Sequence, residues 1–503
     1  MKTTTILPFS KDMKFLISRK MAQQGLTGLI FLLFPFLIFS QTWTGNTSDD
    51  WNTGTNWTGN AVPGATSTTV VIPSTVTSGR WPKLSANATV GILTMNAGSQ
   101  VDVNGFTLTS QYGTNITTAT INDASGGNGS LNAGYISYNA NFSIQNSIFN
   151  SKVDIQSGAN SAANSNMTLI WSCTFNKASR FFNYGSAEFW LGSNLNSGAL
   201  ANTFPNVYQA DVTVFGTGSG QTIVEVGNSG KNATFGGNLT VTISGSGTYF
   251  GPGTHGGIHN INGDYIINRT GGSNTVYIGA NSFTTPATLN ITGDLLYSVA
   301  TAATTNTTYL GANNSNATVG TVNVSGMVDL RMNANVDGHD FFIRNVNNSA
   351  YTGTPGDIVV PSNIGRVEIS NCNLVLDSLF LGGADYSNVL DNNIKATEIF
   401  IPHNAAGSRT YIDGNRFNSN VSLRQNVATA GNDYYVSGSR ATTNTGAKGN
   451  AYLKNVTIAL NNTINGQIQI GRFGTDSIYG NLNLAAWGIG DLIMSPGAGR
   501  LYV

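Results

Sequence analysis

FGGNLTV begins at Phe235, INGDYII at Ile261, ITGDLLY at Ile291 and VSGMVDL at Val324. All four are one phrase: an aromatic or branched apolar residue, a polar or small residue, usually Gly or Ser, then apolar side chains at alternate positions. Their starts lie 26, 30 and 33 residues apart. Self-similarity at a period of roughly 20–50 residues marks a solenoid or a propeller. A propeller blade needs about 40 residues or more and four strands, so these shorter units predict one coil each, of two or three short strands. A second phrase supplies another strand in three of them: TYFG ending at Gly251, VYIG at Gly279 and TYLG at Gly311.

Beyond this stretch the phrase returns as FNSKVDI at Phe149, FNSNVSL at Phe417, INGQIQI at Ile464 and IYGNLNL at Ile478, with a looser copy, IKATEIFI, at Ile394. Alternation with period two sends one set of side chains inward and the other outward. Gly or Ser ahead of the strand is expected to turn a sharp corner, because Gly tolerates positive φ. Asn suits both turns, where its side chain bonds locally, and ladders stacked from rung to rung. No amphipathic helix is evident after the first forty residues. The expected fold is therefore all-β, a right-handed parallel β-helix (β-solenoid) with an N-terminal cap. About 15 coils spaced at ~4.8 Å make a body on the order of 70 Å long.

Composition agrees with an array. Only 10% of the 503 residues are charged, as suits rungs on which like charges would stack and repel. Gly numbers 60 and Asn is about as common, a bias that needs either architecture or disorder to explain it. Val, Ile, Phe and Tyr spread throughout argue against disorder. The 24 basic and 24 acidic residues balance, which excludes a nucleic-acid footprint and a polybasic membrane face. Lys2, Lys11, Lys14, Arg19, Lys20 and Asp12 all fall in the first forty residues, so the remainder holds 19 basic and 23 acidic residues, a net charge of −4.

Those forty residues read as an export signal. Lys14, Arg19 and Lys20 precede the apolar run LTGLIFLLFPFLIFS, which is short for a spanning helix and contains Pro35. Cleavage after Ser40 is expected, leaving no membrane span. Cys173 and Cys372 lie in similar contexts, WSCTFN and ISNCNL, and read as small buried residues at equivalent places about seven rungs, or about 35 Å, apart. That separation is incompatible with a disulfide.

Three tryptophans, Trp43, Trp51 and Trp57, open the remaining chain within QTWTGNTSDDWNTGTNWTGNAVPG. They are read as a cap and not as a sugar-binding surface, because the first rung of a solenoid has an open end that must be covered. The set Trp43, Gly45, Trp51, Asn56, Trp57, Val62, Pro63, Ile72 and Pro73 resembles the N-terminal segment of large exported bacterial surface proteins with β-solenoid bodies, and the F-x-G-x-L-x-V phrases look like their degenerate repeats. The resemblance implies type IX secretion and an adhesin-like role at the cell surface. It also implies a C-terminal sorting domain, whereas this sequence stops at GAGRLYV. A longer natural polypeptide and another route to the surface are the two alternatives.

Candidate chemistry is sparse. His255 and His259, four apart in GTHGGIHN, would share a strand face and suit a metal, but no acid or cysteine is near, and an exposed loop is the preferred reading. Asp337, His339, Asp340 and Arg344 in VDGHDFFIR form the densest polar cluster, the kind of set a β-helix polysaccharide lyase or hydrolase would use. In RFFNYGSAEFW, Phe182, Tyr184 and Trp190 are the best sugar-stacking patch, weighed against interior stacking with one exposed edge. No phosphate loop, nucleophile elbow or H-E-x-x-H helix occurs. No cofactor is expected.

The organisation is thus a signal over 1–40, a Trp-rich cap and lead-in strands over 41–90, and an irregular β-helix over 91–503, clearest at 235–330. Longer loops such as NNSAYTGTPGD and ATTNTGAKGN are the expected sites of variation and binding. The function expected is a secreted or outer-surface structural or adhesive stalk, non-enzymatic, whose partners are extracellular polysaccharide or cell surfaces. A polysaccharide-degrading β-helix enzyme and a carbohydrate-binding module are the alternatives.

Overall fold

The computed structural model describes residues 40–64, 69–134, 142–157, 168–192, 204–225, 231–254, 256–272, 275–279, 287–300, 307–312, 320–332, 339–360, 364–382, 384–403, 409–425, 434–437, 447–460, 467–487, 491–494 and 500–503. Residues 1–39, expected to belong to an export signal, together with His255 and Asp337, lie outside the described residues. Gln41–Val503 forms one compact unit. Among the described residues 46 strands join one sheet, pairing in parallel, each typically with the strand three further along the chain, so a coil contains three strands. The molecule is a parallel β-helix. At three strands per coil this is about fifteen coils, and the ~4.8 Å spacing gives about 70 Å of stacked sheet.

One coil shows the plan. Gly257–Ile261 lies on one sheet, here called sheet 2, Tyr265–Arg269 on sheet 3 and Thr275–Ile278 on sheet 1. The next coil repeats them as Ala287–Ile291, Leu295–Val299 and Thr307–Gly311, in register. The phrase that defines the repeat is the corner between sheets 2 and 3: Leu239, Tyr265, Leu295 and Val328 are successive register partners and all point inward.

The glycine of that corner has a different task from the one expected. Gly237, Gly263, Gly293 and Gly326 carry no positive φ. A Cβ on each would instead lie 2.2 to 2.4 Å from the Oδ1 of Asp211, Asn238, Asp264 and Asp294 respectively. Those same oxygens accept from the amides of Asn238, Asp264, Asp294 and Met327 at 2.7–2.9 Å. Glycine makes room for a side chain to stitch its own coil to the next.

Positive φ is used at the other corner, between sheets 1 and 2. Thr118, Asn146, Ser172, Asn345, Asn371 and Asp391 all have φ between 51° and 57°. The residue that follows turns into the core. Cys372, Asn392, Asn415, Asn450 and Asp476 occupy this place on successive coils, and each Oδ1 from Asn392 onward accepts the backbone amide of the residue one coil before it, at 2.8–3.1 Å. The Nδ2 groups of Asn392, Asn415 and Asn450 donate to Ile369, Val389 and Ile412 carbonyls. Every polar atom of a buried amide is thereby engaged, the condition for putting asparagine inside a protein. Cys173 and Cys372 stand at this same corner, seven coils apart by register, both buried and free, with each Sγ donating to the carbonyl two residues earlier at 3.3 Å.

The second phrase pairs one residue out of step. Tyr277 and Tyr309 are register partners, but the partner of Tyr277 on the preceding coil is Phe250, not Tyr249. A one-residue slip exchanges faces. Tyr249 points inward, where its hydroxyl meets that of Tyr265 at 2.9 Å, and Phe250 points outward.

At the N-terminal end Trp43, Trp51 and Trp57 are fully buried within the main core cluster. The rings meet edge to face, Trp43 with Trp57 at 4.9 Å and Trp51 with Trp57 at 4.7 Å. Their indole N–H groups donate to backbone carbonyls, Trp57 to Trp51 at 2.8 Å and Trp43 to Arg80 at 2.7 Å. Asn56, also buried, accepts from the amides of Thr47 and Ser48. No ring face is left for a sugar. Among the described residues no helix is long and apolar enough to cross a membrane.

Candidate functional site

The polar cluster nominated from sequence is divided between two faces of one strand. His339 points into the core, where its Nε2 lies 3.1 Å from the hydroxyl of Thr308, itself 2.8 Å from that of Tyr297. Burial, with Arg269 nearby, pulls the His339 imidazole down to about 3. Asp340 faces outward and half-buried, and that burial raises its carboxyl despite Arg366. Arg344, also on the outer side, is committed to Glu368 at 2.6 Å. Glu368 is desolvated, yet its carboxyl is held below the usual range by Arg344 and Arg366. Strand alternation therefore sends His339 inward and leaves Asp340 and Arg344 on the outer side, so the set that the polysaccharide-degrading alternative would use is not gathered on one face.

His259 is corrected from a loop to a strand. It is buried at the sheet 2 corner, its Nδ1 accepting from the Ala233 amide at 3.3 Å and its Nε2 meeting the Gly256 carbonyl at 2.9 Å. Both ring nitrogens are thus taken by backbone, and burial lowers the imidazole to about 4. Among the described residues no three of His, Cys, Asp and Glu converge as a metal site.

The aromatic patch also divides. Phe182 lies on sheet 3 and Tyr184 just past the end of that strand, stacked on each other at 5.7 Å, with Phe215 of the next coil 4.6 Å beyond Phe182. Trp190 belongs to sheet 1 and is buried, its N–H on Glu188. It begins a stripe along the outside of that sheet: Trp190, Ile223, Phe250, Tyr277, Tyr309 and Phe342 are register partners in turn. The last four rings stack at 4.9, 5.2 and 4.9 Å with planes within 9°. Arg344 and Arg366 close the final ring at 4.6 and 5.2 Å. Rings stacked in this way offer solvent only their edges. A sugar packs its C–H side on an open ring face, and these faces are taken by neighbouring rings or guanidinium groups. The stripe reinforces the coil stack.

A different place has the character of a binding site. A groove of about 400 Å³ lies at the corner between sheets 2 and 3, beside the loop that contains Tyr351, and is lined among others by Lys395, Thr397, Asn418, Asn420 and Lys454. The size is that of ordinary small-ligand sites. Its origin is a β-bulge: Lys395 pairs with Asn418 and Glu398 with Asn420, so two residues oppose one. The amide of Ala396 in the bulge is satisfied by the Ser419 hydroxyl at 2.8 Å. The loop is pinned by Asn348, which exchanges bonds with the Val375 amide and carbonyl, and by Tyr351 Oη donating to Thr354. Sequence reasoning did not name these residues. Two signals pointed here: the loop NNSAYTGTPGD, expected to carry binding, and IKATEIFI, the copy of the repeat that fits least well.

No protein-family model matches the chain, and neither a curated protein nor a solved structure matches it.

Proposed function

We propose that the chain is an exported cell-surface protein whose β-helix serves as a rigid stalk for weak, multivalent adhesive contacts. The observation that carries this reading is the continuity of the ladder: parallel pairing runs coil after coil to Leu501–Tyr502, reinforced inside by the Asn392–Asn415–Asn450 column and outside by stacked rings. Such a body resists bending because each coil is bonded along its whole length to its neighbours. The apolar run over the first forty residues supports export, and the Trp43–Pro73 pattern supports kinship with type IX surface proteins of the adhesin kind. Multivalent contact suits a repeated surface, since linked weak sites gain affinity through effective concentration.

The test is to pass the protein over plant, algal and bacterial polysaccharides and record retention and depolymerisation together. Retention without cleavage is the expected result. Cleavage of any polymer would overturn the stalk reading and direct substitution to Asp337, His339, Asp340 and Arg344.

A further inference from the structure

We infer that the groove at the Lys395 bulge binds an anionic glycan, a chain whose sugars bear carboxylates or sulfate esters. The inference rests on the adhesive reading above and names the ligand class for one of its contacts.

Three observations converge on it. First, the side chains of Lys395, Thr397, Asn418, Asn420 and Lys454 take no hydrogen bond or ion pair from another described residue. Several outward asparagines elsewhere are bonded in ladders, as in Asn260–Asn290–Asn323 and Asn122–Asn150–Asn176. In the groove they are idle donors and acceptors.

Second, the charge is of one sign. Lys395 and Lys454 both line the groove, and no described carboxylate does. Elsewhere on the outer surface Arg180 sits on Asp154 and Arg331 on Asp329 and Asp357, so basic and acidic groups meet there. Two unpaired ammonium groups in a chain of net negative charge after residue 40 select an anion by local contact and not by a general field.

Third, the spacing suits a chain ligand. The lysines are two coils apart, about 10 Å along the axis, with amide-bearing Asn418 on the coil between them. Charges at that separation, bridged by hydrogen-bonding groups, match an extended oligosaccharide with periodic acid groups better than a single small anion. Tyr351 borders the groove and takes part in no ring stack among the described residues.

Retention is to be measured on immobilised polygalacturonate, which carries only carboxylates, on dextran sulfate, which carries only sulfate esters, and on neutral dextran. The proteins compared are the wild type, the pair Lys395→Gln/Lys454→Gln, and a control pair at exposed lysines elsewhere on the helix, Lys152→Gln/Lys177→Gln. The expected result is wild-type retention on one or both anionic polymers and not on dextran, at least about tenfold weaker binding for the groove pair, and no change for the control pair. The polymer that retains the protein identifies the acid group. Absence of retention on both anionic polymers, or a loss shared equally by the two pairs, overturns the site. Retention untouched in the groove pair overturns it too, while leaving the adhesive reading in place, and polymer cleavage counts against the stalk reading independently of where the polymer sits.

Discussion

His259, like His339, enters the core as a neutral base, which makes the fold sensitive to acid at that side chain. Its imidazole sits at about 4 when folded against 6.5 in the open chain, because burial disfavours the charged form. The folded value is the lower one, so unfolding takes up a proton below pH 6.5: the stabilisation is intact above that pH and is lost as pH falls from 6.5 through about 4. The difference corresponds to about 3 kcal/mol. His259→Gln, which retains a donor and an acceptor without titrating, is expected to lower the urea midpoint at pH 7 slightly and to flatten its decline toward pH 4. An equally steep decline in the variant would assign the acid sensitivity elsewhere. The i, i+4 spacing with His255 was visible in the sequence. What was not visible is that a glycine-rich turn ends at Gly256 and a strand begins at Gly257, which aims the His259 ring into the core.

Elements here are corners as much as strands. In the repeat corner the glycine is required for space, and Gly293→Ala tests that directly. An added Cβ would lie 2.2 Å from Asp264 Oδ1 and displace the carboxylate that accepts the Asp294 amide at 2.9 Å. Loss of that charge-assisted bond plus local strain predicts a destabilisation of about 1–3 kcal/mol, read by urea unfolding. The Gly263 backbone is also close, its carbonyl carbon 2.7 Å from the added Cβ, and only if neither it nor the carboxylate crowded the site would alanine at this ordinary φ be neutral or slightly stabilising. The recurrence of Gly before Asp or Asn was legible as a corner, and the alternation after it was legible as a strand. The reason for glycine was not, because the clashing oxygen belongs to Asp264 on the previous coil, remote in the sequence.

At the scale of the whole molecule the ladder sets both length and isolation of the interior. Solution scattering of the folded protein is expected to show a stacked body of about 70 Å, from about fifteen coils at ~4.8 Å. A compact globular profile would contradict the coil count. The two cysteines give an independent check. Burial raises both thiols to about 12, and seven coils separate them. An aromatic disulfide reagent should therefore label neither in the native protein and both after denaturation, without an intramolecular crosslink forming on mild oxidation.

The period of the repeat, the alternation of apolar residues and the three early tryptophans were sufficient to establish a capped solenoid, since those features depend only on neighbours in the chain and on the need to bury one face. Tertiary structure decided which residues share a face and which are spent on the scaffold. Phe182 and Trp190 are eight positions apart and lie on different sheets, whereas Trp190 and Phe342 are 152 apart and lie on one stripe. The groove follows the same logic: Lys395, Asn418 and Lys454 become neighbours only because successive coils stack, and they open a groove only because one coil carries two residues where the next carries one. Register between coils is set by contacts of long sequence separation, and local pattern does not encode a one-residue slip.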